Sequence, residues 1–345
     1  MDVTTLGLVG GVLVLLAAAT AVVHILKRRT DSTIDPAILE TFRMRIRAWW
    51  LLCAVLAAST LMHQTVTVVL FGLISFWALR EFITLTPTRP GDHRTLFWVF
   101  FLWWPLQFVL VGMKRYELFS IVIPVYAFLF IPARIAMSGD SKRFLERTAK
   151  IQAGLLVCVY CLSYAPALLT LPPPQGQDPP AAQAGGTSPV SASQGVGDNA
   201  ASDDPPEKKH ANNCARLLFF FVLMVQLSDA LQYAWSQVPS KHVIVPAIHP
   251  TKTWEGLLGG TASVALLGAA LSWATPFPYW FAAIMSAVIA VMGFAGALTM
   301  SAIKRDRGVK DYGTLVAGHA GVLDRIDSIC FAAPVFYHFT RYYVG

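Results

Sequence analysis

Long apolar stretches separated by short polar segments make up most of this chain. About ten of them approach or exceed the roughly 20 residues that a helix needs to cross a bilayer. They are Leu6–Leu26, Ala48–Met62, Val66–Leu79, Thr95–Val111, Leu118–Met137, Gln152–Leu171, Cys214–Trp235, Gly256–Thr275, Pro278–Met300 and Ile329–Val344. Few segments alternate apolar and polar residues as the strands of a membrane barrel do. Because lipid offers backbone groups no partner, the pattern predicts an all-α, polytopic membrane protein with about ten transmembrane helices.

One segment, residues 172–213, interrupts this pattern. It is rich in Pro, Ala, Gly, Ser, Gln and Asp and has almost no large apolar side chains. Such a segment cannot bury enough surface to offset the entropy lost on ordering. We interpret it as a disordered periplasmic linker between N-terminal transmembrane helices (1–171) and a C-terminal transmembrane catalytic region (214–345), whose most polar loop is 301–327.

Composition and charge support a membrane location and give an orientation. Of the 345 residues, 55% are hydrophobic and 14% are charged, whereas a soluble domain has roughly 25% charged residues. With the N-terminus outside, 21 of the 27 lysines and arginines fall on the inside, as the positive-inside rule favours. The net charge of +7 needs no nucleic acid as a partner, because anionic lipid headgroups at the cytoplasmic face are sufficient.

The polar loop after the ninth span combines bases and acids within a short stretch. Its members are Lys304, Arg305, Arg307, Lys310, Arg325, Asp306, Asp311, Asp324, Asp327 and His319. An ordinary inside loop explains the bases but not the acids. Asp324 and Asp327 are three residues apart, so a helix would place them on one face, where they could hold a hard cation. Bases that neutralise phosphates beside such acids are typical of magnesium-dependent phosphoryl or nucleotidyl transfer.

Two further polar features fall on the same predicted side of the membrane. Asp229 lies inside the seventh span, where an ionisable residue is costly and indicates function by default. The alternative is a structural pair with a base that holds two helices together. Residues 249–256 precede the eighth span, and by themselves they read as a turn with Trp254 as an interface anchor and Lys252 at the bilayer edge.

Together these segments resemble the phosphatidate cytidylyltransferase (CDP-diacylglycerol synthase) family. The family signature is Ser, two residues, Lys-Arg, four residues, Lys-Asp, then His-Gly-Gly, two residues, Asp-Arg, one residue, Asp. The matching positions are Ser301, Lys304, Arg305, Lys310, Asp311, His319, Gly321, Asp324, Arg325 and Asp327. The family also has Ser-Pro-x-Lys-Thr-Trp-Glu-Gly, matched around Lys252, and Asp-x-x-x-Tyr in a membrane helix, matched by Asp229 and Tyr233. The resemblance covers roughly 217–339 and fits a divergent bacterial branch.

The resemblance implies a reaction and a set of roles. A phosphate oxygen of phosphatidate would attack the α-phosphorus of CTP, giving CDP-diacylglycerol and pyrophosphate at the cytoplasmic face of the bacterial inner membrane. The implied metal ligands, for Mg²⁺ and an optional second cation such as K⁺, are Asp229, Asp324 and Asp327. The implied catalytic residues are Asp229, Lys304, Asp311, Asp324 and Asp327. The implied substrate-binding residues are Lys252, Ser301, Lys304, Arg305, Lys310, His319 and Arg325. The expected partners are CTP, phosphatidate or another anionic lipid phosphate, membrane lipids and a second copy of the chain.

Four departures from the family pattern lie at or near this predicted site. Ala297 follows Gly296 where the family has a metal-binding aspartate, Ala320 replaces a glycine, and His249 replaces a serine. Residues 235–242 lack the glycines that the family usually has there. We therefore expect low activity from the chain as it stands.

Three other interpretations stay open. The first is a related CTP-using lipid enzyme, such as a polyprenol kinase or a synthase acting on another lipid phosphate. The second is a transporter, which would also carry an intramembrane aspartate but predicts broken helices in paired halves of the chain, and the sequence shows no such pairing. The third is a catalytically weakened paralogue that binds lipid or a partner, which Ala297 keeps open.

Overall fold

The computed structural model describes residues 64–85, 88–172, 206–238, 242–309 and 321–344, together with positions 10, 17, 20 and 21; in the third range, side chains are described from residue 210 onward. Between residues 64 and 344, the described chain forms eight long helical segments. They are α1 (Gln64–Leu85), α2 (Pro90–Gly112), α3 (Tyr116–Ala136), α4 (Phe144–Thr170), α5 (Pro206–Trp235), α6 (Trp254–Ala270), α7 (Tyr279–Asp306) and α8 (Leu323–Val344). The strand-like pairing in these ranges is a single antiparallel bridge between Val243 and Thr253. The predicted all-α class is confirmed.

Six of these helices, α1 to α5 and α7, are long and apolar enough to cross a membrane. The remaining two correspond to the eighth and tenth predicted spans. Helix α6 has 17 residues, and α8 has 22 residues but carries several charged and polar side chains. The first two predicted spans lie outside the described residues, so the count of about ten transmembrane helices stays a prediction.

The N-terminal helices α2, α3 and α4 each contain a π-helical stretch, over Val99–Trp103, Val122–Ala127 and Leu156–Cys161. Proline removes a backbone donor and crowds the preceding turn. Pro124 lies inside the second stretch and Pro105 lies two residues after the end of the first. Membrane helices tolerate such prolines through local changes of helical pitch and through neighbouring helices, which keeps these segments continuous.

The linker ends earlier than the sequence predicts. Helix α5 begins at Pro206, eight residues before the predicted boundary at residue 214. Proline suits the first turn of a helix, and the Glu-Lys-Lys that follows consists of good helix formers; low hydropathy alone therefore placed the boundary too late. Nε2 of His210 lies 2.9 Å from the carbonyl oxygen of Leu171, which ties the start of α5 to the end of α4. The rest of the predicted linker, 173–205, lies outside the described residues.

Helices α5 to α8 pack against one another as a C-terminal bundle. Gly256 and Gly260, one turn apart on α6, face α5. A Cβ atom on Gly256 would lie 2.8 Å from the carbonyl oxygen of Gln232, and one on Gly260 would lie 2.8 Å from the backbone nitrogen of Gln232. Small residues at this spacing let membrane helices approach closely. The close approach brings Gln232 directly against the start of α6.

Helix α8 also packs against α4 and α1, so it joins the N-terminal helices to the C-terminal bundle. Its buried Tyr337 lies among aromatic rings of the N-terminal helices, with ring centroids 5.2 Å from Tyr164 and 5.9 Å from Tyr116. Aromatic pairs at these distances add to the energy of burial. Both halves of the chain therefore support α8, whose first turn carries the predicted Asp-Arg-x-Asp motif.

Candidate functional site

Four segments of the C-terminal bundle bring predicted site residues to one end of it. Asp229 comes from α5, Lys252 from the loop before α6, Lys304 from the last turn of α7, and Asp324 and Asp327 from the start of α8. The charges that act on the Asp327 carboxylate include those of Asp229, Asp324 and Lys252. The fold thus gathers acids and bases from positions up to about 100 residues apart, as the three separate sequence features predict.

Asp229 and Asp327 form an acidic pair that shares one hydroxyl group. Oγ of Ser328 donates to Oδ1 of Asp229 at 3.1 Å and lies 3.5 Å from Oδ1 of Asp327. The backbone N–H of Ser328 donates to the same Asp327 oxygen at 2.7 Å. Two carboxylates at close quarters repel each other unless a cation or proton intervenes. Sequence reasoning did not identify Ser328, although its position directly after the last aspartate of the signature is a usable signal.

Lys304 and Asp324 form an ion pair across α7 and α8. Nζ of Lys304 lies 2.7 Å from Oδ1 of Asp324, and the two side chains are only 17% and 11% exposed. A pair at this degree of burial is held more firmly than a surface pair, because solvent screens it less.

Lys252 lies beside Gln232 and an aromatic ring. Its Nζ is 3.4 Å from Oε1 of Gln232 and 4.9 Å from the ring centroid of Phe294. The amide nitrogen of Gln232 donates to Oγ of Ser228 and to the carbonyl oxygen of Ala290, at 3.0 and 3.1 Å. This network fixes the Gln232 oxygen toward the lysine. A small cavity opens here, and its lining consists of Gln232, Tyr233, His249, Thr251, Lys252, Thr253, Gly256, Leu257 and Phe294. Gln232, which is buried, was not identified from the sequence.

The loop that carries Lys252 is built by local bonds. Oγ1 of Thr253 accepts the N–H of Gly256 at 3.0 Å and caps α6. The backbone of Ile244 donates to the carbonyl oxygen of Lys252 at 3.0 Å. Glu255 precedes the predicted span, and its hydrogen bond from the His242 ring at 2.6 Å holds the pKa of this carboxyl below its usual range. The loop therefore has a defined shape that presents Lys252 to the cavity.

Three further predicted substrate-binding residues lie around this site with different degrees of access. Ser301 is buried, and its hydroxyl donates to the carbonyl oxygen of Ala297 at 2.7 Å. Arg305 is exposed, and its Nε lies 3.3 Å from the carbonyl oxygen of Ile248. Arg325 is exposed on the first turn of α8. The two arginines are therefore open to a ligand from the aqueous side, while the serine hydroxyl is turned to its own helix.

The remaining predicted site residues, Lys310, Asp311 and His319, lie outside the described residues, as does the departure at Ala320. After α7 the structure describes residues 307–309 and then continues from residue 321. Gly308 adopts the left-handed conformation with φ of 70°, and the N–H of Val309 donates to the carbonyl oxygen of Lys304 at 3.0 Å. Helices commonly end on a glycine in this conformation.

Gly296 places α7 directly against the acidic pair. A Cβ atom there would lie 2.7 Å from the backbone oxygen of Asp327 and 3.0 Å from the side chain of Phe331. Only glycine permits this approach without a shift of the backbone. Ala297, the departure from the family pattern, is the next residue of the same helix.

A carboxylate from the N-terminal helices reaches the same region. Glu81 of α1 is 6% exposed, and its two oxygens accept the backbone N–H groups of Val322 and Leu323 at 3.0 and 2.9 Å. Sequence reasoning placed Glu81 just beyond a predicted span and did not assign it to the site. An acid followed directly by apolar residues at the end of a membrane helix is the signal that could have identified it.

The described residues fit a metal ion only in part. Among them, no three acidic, histidine or cysteine side chains are arranged as a metal site, and Asp324 is already paired with Lys304. The pair of Asp229 and Asp327 does fit Mg²⁺, which usually takes one or two carboxylates and completes its coordination with phosphate oxygens and water. The predicted set of three carboxylate ligands stays a prediction.

Comparison with known proteins finds one matching family model and several relatives. The model of the cytidylyltransferase family matches residues 43–343. An uncharacterized protein of Escherichia coli K12, YnbB, is 34% identical over 302 residues, which is 87% of each chain. The phosphatidate cytidylyltransferase of Synechocystis sp. is 45% identical over 94 residues, 27% of this chain and 32% of that enzyme. The phosphatidate cytidylyltransferase of Mycobacterium leprae is 37% identical over 118 residues, 33% of this chain and 37% of that enzyme.

The matches to the two named enzymes therefore span about a third of their length, whereas the family model and the E. coli relative extend over most of this chain. The resemblance inferred from the sequence is confirmed, and a divergent bacterial branch fits the relatives. This helical membrane protein belongs to the cytidylyltransferase family.

Proposed function

We propose that this chain transfers the cytidylyl group of CTP to phosphatidate, giving CDP-diacylglycerol and pyrophosphate. One observation carries the proposal: at one end of a helical membrane bundle, the acidic pair of Asp229 and Asp327 lies within the electrostatic range of Lys252, and the ion pair of Lys304 with Asp324 lies one turn from Asp327 on α8. Acids that fit a dication next to bases that neutralise phosphates are the parts that transfer of a nucleotidyl group requires. The charge asymmetry of the loops supports a cytoplasmic position for this end.

The bases of the site would hold and neutralise the triphosphate. Lys252 lines the cavity beside Gln232, and Lys304 is held by Asp324 where α7 packs on α8. Exposed Arg305 stands where the polyphosphate would approach from water. Mg²⁺, held by the acidic pair and the phosphates, would supply charge neutralisation for the pyrophosphate leaving group.

The lipid phosphate needs no general base. Phosphatidate is anionic near neutral pH, so its oxygen attacks the α-phosphorus as it stands. The new bond joins this oxygen to the α-phosphorus, and the bond from the α-phosphorus to the bridging oxygen of the β-phosphate breaks. Positioning and charge neutralisation therefore carry the rate enhancement.

The lipid would enter sideways from the bilayer. Trp254 and Leu258, at the start of α6 next to Lys252, are 51% and 65% exposed. An exposed tryptophan at the end of a membrane helix is typical of the headgroup region. A lipid that lies along this face would bring its phosphate to the level of the site while its chains stay in the membrane.

A second candidate is the same transfer to a different lipid phosphate. It is favoured by the extent of the matches, since the named phosphatidate enzymes share only about a third of this chain. The reacting phosphate and CTP would occupy the same positions in both cases. The lipid backbone and chains would differ.

The test is turnover by the purified protein in lipid nanodiscs with CTP labelled at the α-phosphorus. With magnesium and phosphatidate, we expect labelled CDP-diacylglycerol and an equal amount of pyrophosphate, and neither product without the lipid. Asp229→Asn serves as the inactive control. A panel of other lipid phosphates tests the second candidate, and a polyprenol tests for a kinase, which would release CDP and a phosphorylated lipid. Absence of a CDP-lipid with every lipid phosphate would refute the proposal.

A further inference from the structure

The first turn of α8 is held by a carboxylate that comes from the N-terminal half of the chain. Glu81 lies near the end of α1, more than 240 positions before the segment it contacts. One of its oxygens accepts the N–H of Val322 at 3.0 Å and the other accepts the N–H of Leu323 at 2.9 Å. The side chain is 6% exposed, so water competes little for these bonds.

The start of α8 has a physical need for this contact. The first N–H groups of a helix have no partners within the helix. They are usually satisfied by Ser, Thr, Asp or Asn at the position before the first helical residue. Val322 occupies that position and offers no side-chain oxygen. Glu81 supplies the acceptors instead, and its negative charge is favourable at the positive end of the helix dipole.

This contact lies next to the site residues of α8. Asp324 directly follows Leu323, and Asp327 is one turn further along the helix. On another side of the helix, the close approach of Gly296 fixes the backbone of Asp327 against α7. The first two turns of α8 are thus clamped between α1 and α7, and a shift of either contact would move both aspartates.

We propose that Glu81 is a positioning residue of the site: by accepting hydrogen bonds from the N–H groups of Val322 and Leu323, it fixes the start of α8 and sets Asp324 against Lys304 and Asp327 against Asp229. The N-terminal helices then form part of the site, although the sequence motifs that resemble the family all lie in the C-terminal region. This inference rests on the function proposed above. Its test therefore includes two measurements that do not depend on turnover.

The deciding variant is Glu81→Gln, which keeps the volume of the side chain but loses the charge and one of the two acceptors. Glu81→Ala removes both acceptors. The matched control is Glu117→Gln, because Glu117 is an exposed acid in the first turn of α3. All three proteins are compared with the wild type in nanodiscs, after a check of their thermal unfolding.

Three quantities are measured on each protein. Hydrogen–deuterium exchange follows the amides of the peptide covering 321–328, Mn²⁺ binding is followed by electron paramagnetic resonance, and kcat and KM for CTP come from pyrophosphate release. We expect faster exchange in Glu81→Gln and still faster exchange in Glu81→Ala. Removing a group that orients metal ligands typically costs about 10- to 100-fold in metal affinity or activity, and we expect a loss of this size in Mn²⁺ affinity and kcat. KM for CTP should change less, since Lys252 and Lys304 belong to the loop before α6 and to α7, which Glu81 does not contact through these bonds.

Each other outcome overturns the inference in a recognisable way. Unchanged exchange in both Glu81 variants would show that the contact does not hold the start of α8. Faster exchange with unaltered Mn²⁺ affinity would show that the contact has no positioning role. A Glu81→Gln protein that fails to fold would also count against the proposal, because Glu81 would then serve folding and not the position of the aspartates. If the wild type transfers no cytidylyl group, the proposed function fails, while exchange and Mn²⁺ affinity still decide the role of Glu81.

Discussion

Gly296 on α7 offers a direct test of how the acidic pair is positioned. A methyl group there would lie 2.7 Å from the backbone oxygen of Asp327 and 3.0 Å from the side chain of Phe331. Close carbon–oxygen contacts in proteins are about 3.3–3.6 Å, so Gly296→Ala requires α7 and α8 to separate by roughly 0.6–0.9 Å. A backbone oxygen cannot rotate away as a side chain can. The shift therefore falls on the turn of α8 that carries Asp327.

The expected effect of Gly296→Ala is larger on turnover than on stability. Overpacking of this kind costs about 1–3 kcal/mol. Alanine offsets part of that loss, because it is a better helix former than glycine by roughly 1 kcal/mol. The variant should therefore fold, with a slightly lower unfolding temperature. A displacement near 1 Å can cost on the order of 10²-fold in rate, so we expect kcat to fall by about 10- to 100-fold.

The assay compares CTP- and lipid-dependent pyrophosphate release by the wild type, Gly296→Ala and Gly72→Ala. Gly72 is a matched control inside α1, since a methyl group there would lie 3.5 Å from its nearest neighbour, a ring atom of Phe108, which is an ordinary contact. The control should keep the wild-type kcat. A folded Gly296→Ala protein with wild-type kcat would refute the reasoning, because the close approach of α7 would then have no effect on the site.

Three further predictions concern the metal, the departure from the family pattern and the orientation. Asp327→Asn should abolish magnesium-dependent turnover in a folded protein, because an amide is a much poorer ligand for a hard dication; full activity would remove Asp327 from the ligand set. Ala297→Asp should raise magnesium-dependent pyrophosphate release substantially, and an unchanged or lower rate would show that this position is not a ligand here. Cysteines at Ser191 and Gly308, in a cysteine-free background, should be labelled from opposite sides of the membrane, and labelling of both from one side would overturn the orientation.

The helical class was predictable because hydropathy is a local property of the sequence. An apolar stretch of 20 residues has few alternatives to a helix in lipid, and the spans predicted from residue 66 onward all appear as helices. The start of α5 was not predictable by the same rule. Residues 206–213 are polar, and their helical structure follows from a proline in the first turn and from good helix formers after it.

The sequence identifies the candidate residues that belong to local motifs. It does not identify those that are recognised by contacts between helices distant in the sequence. The spacing of Asp324 and Asp327 and the intramembrane position of Asp229 single them out as candidates in the sequence, and their role as ligands stays a prediction. The pairing of Asp324 with Lys304 could not be predicted from the sequence, because it depends on how α7 packs on α8. Gln232 could be identified only from the structure, because a glutamine is common in helices. Its role follows from the close approach of α6 and from its contact with Lys252.

The N-terminal helices hold the signature loop at both of its ends. At the start of α8, the carboxylate of Glu81 accepts hydrogen bonds from the N–H groups of Val322 and Leu323. At the end of α7, the guanidinium of Arg307 lies 3.7 Å from the carboxylate of Glu146 on α4. The segment between these two contacts carries four of the ten signature positions, namely Lys310, Asp311, His319 and Gly321. A change in the packing of α1 or α4 would therefore move the boundaries of this segment without altering any motif residue. The relative that matches 87% of this chain shares these helices in its alignment, while the named phosphatidate enzymes match about a third. Differences in the N-terminal helices would thus alter the geometry of the candidate site while its motif residues stay the same.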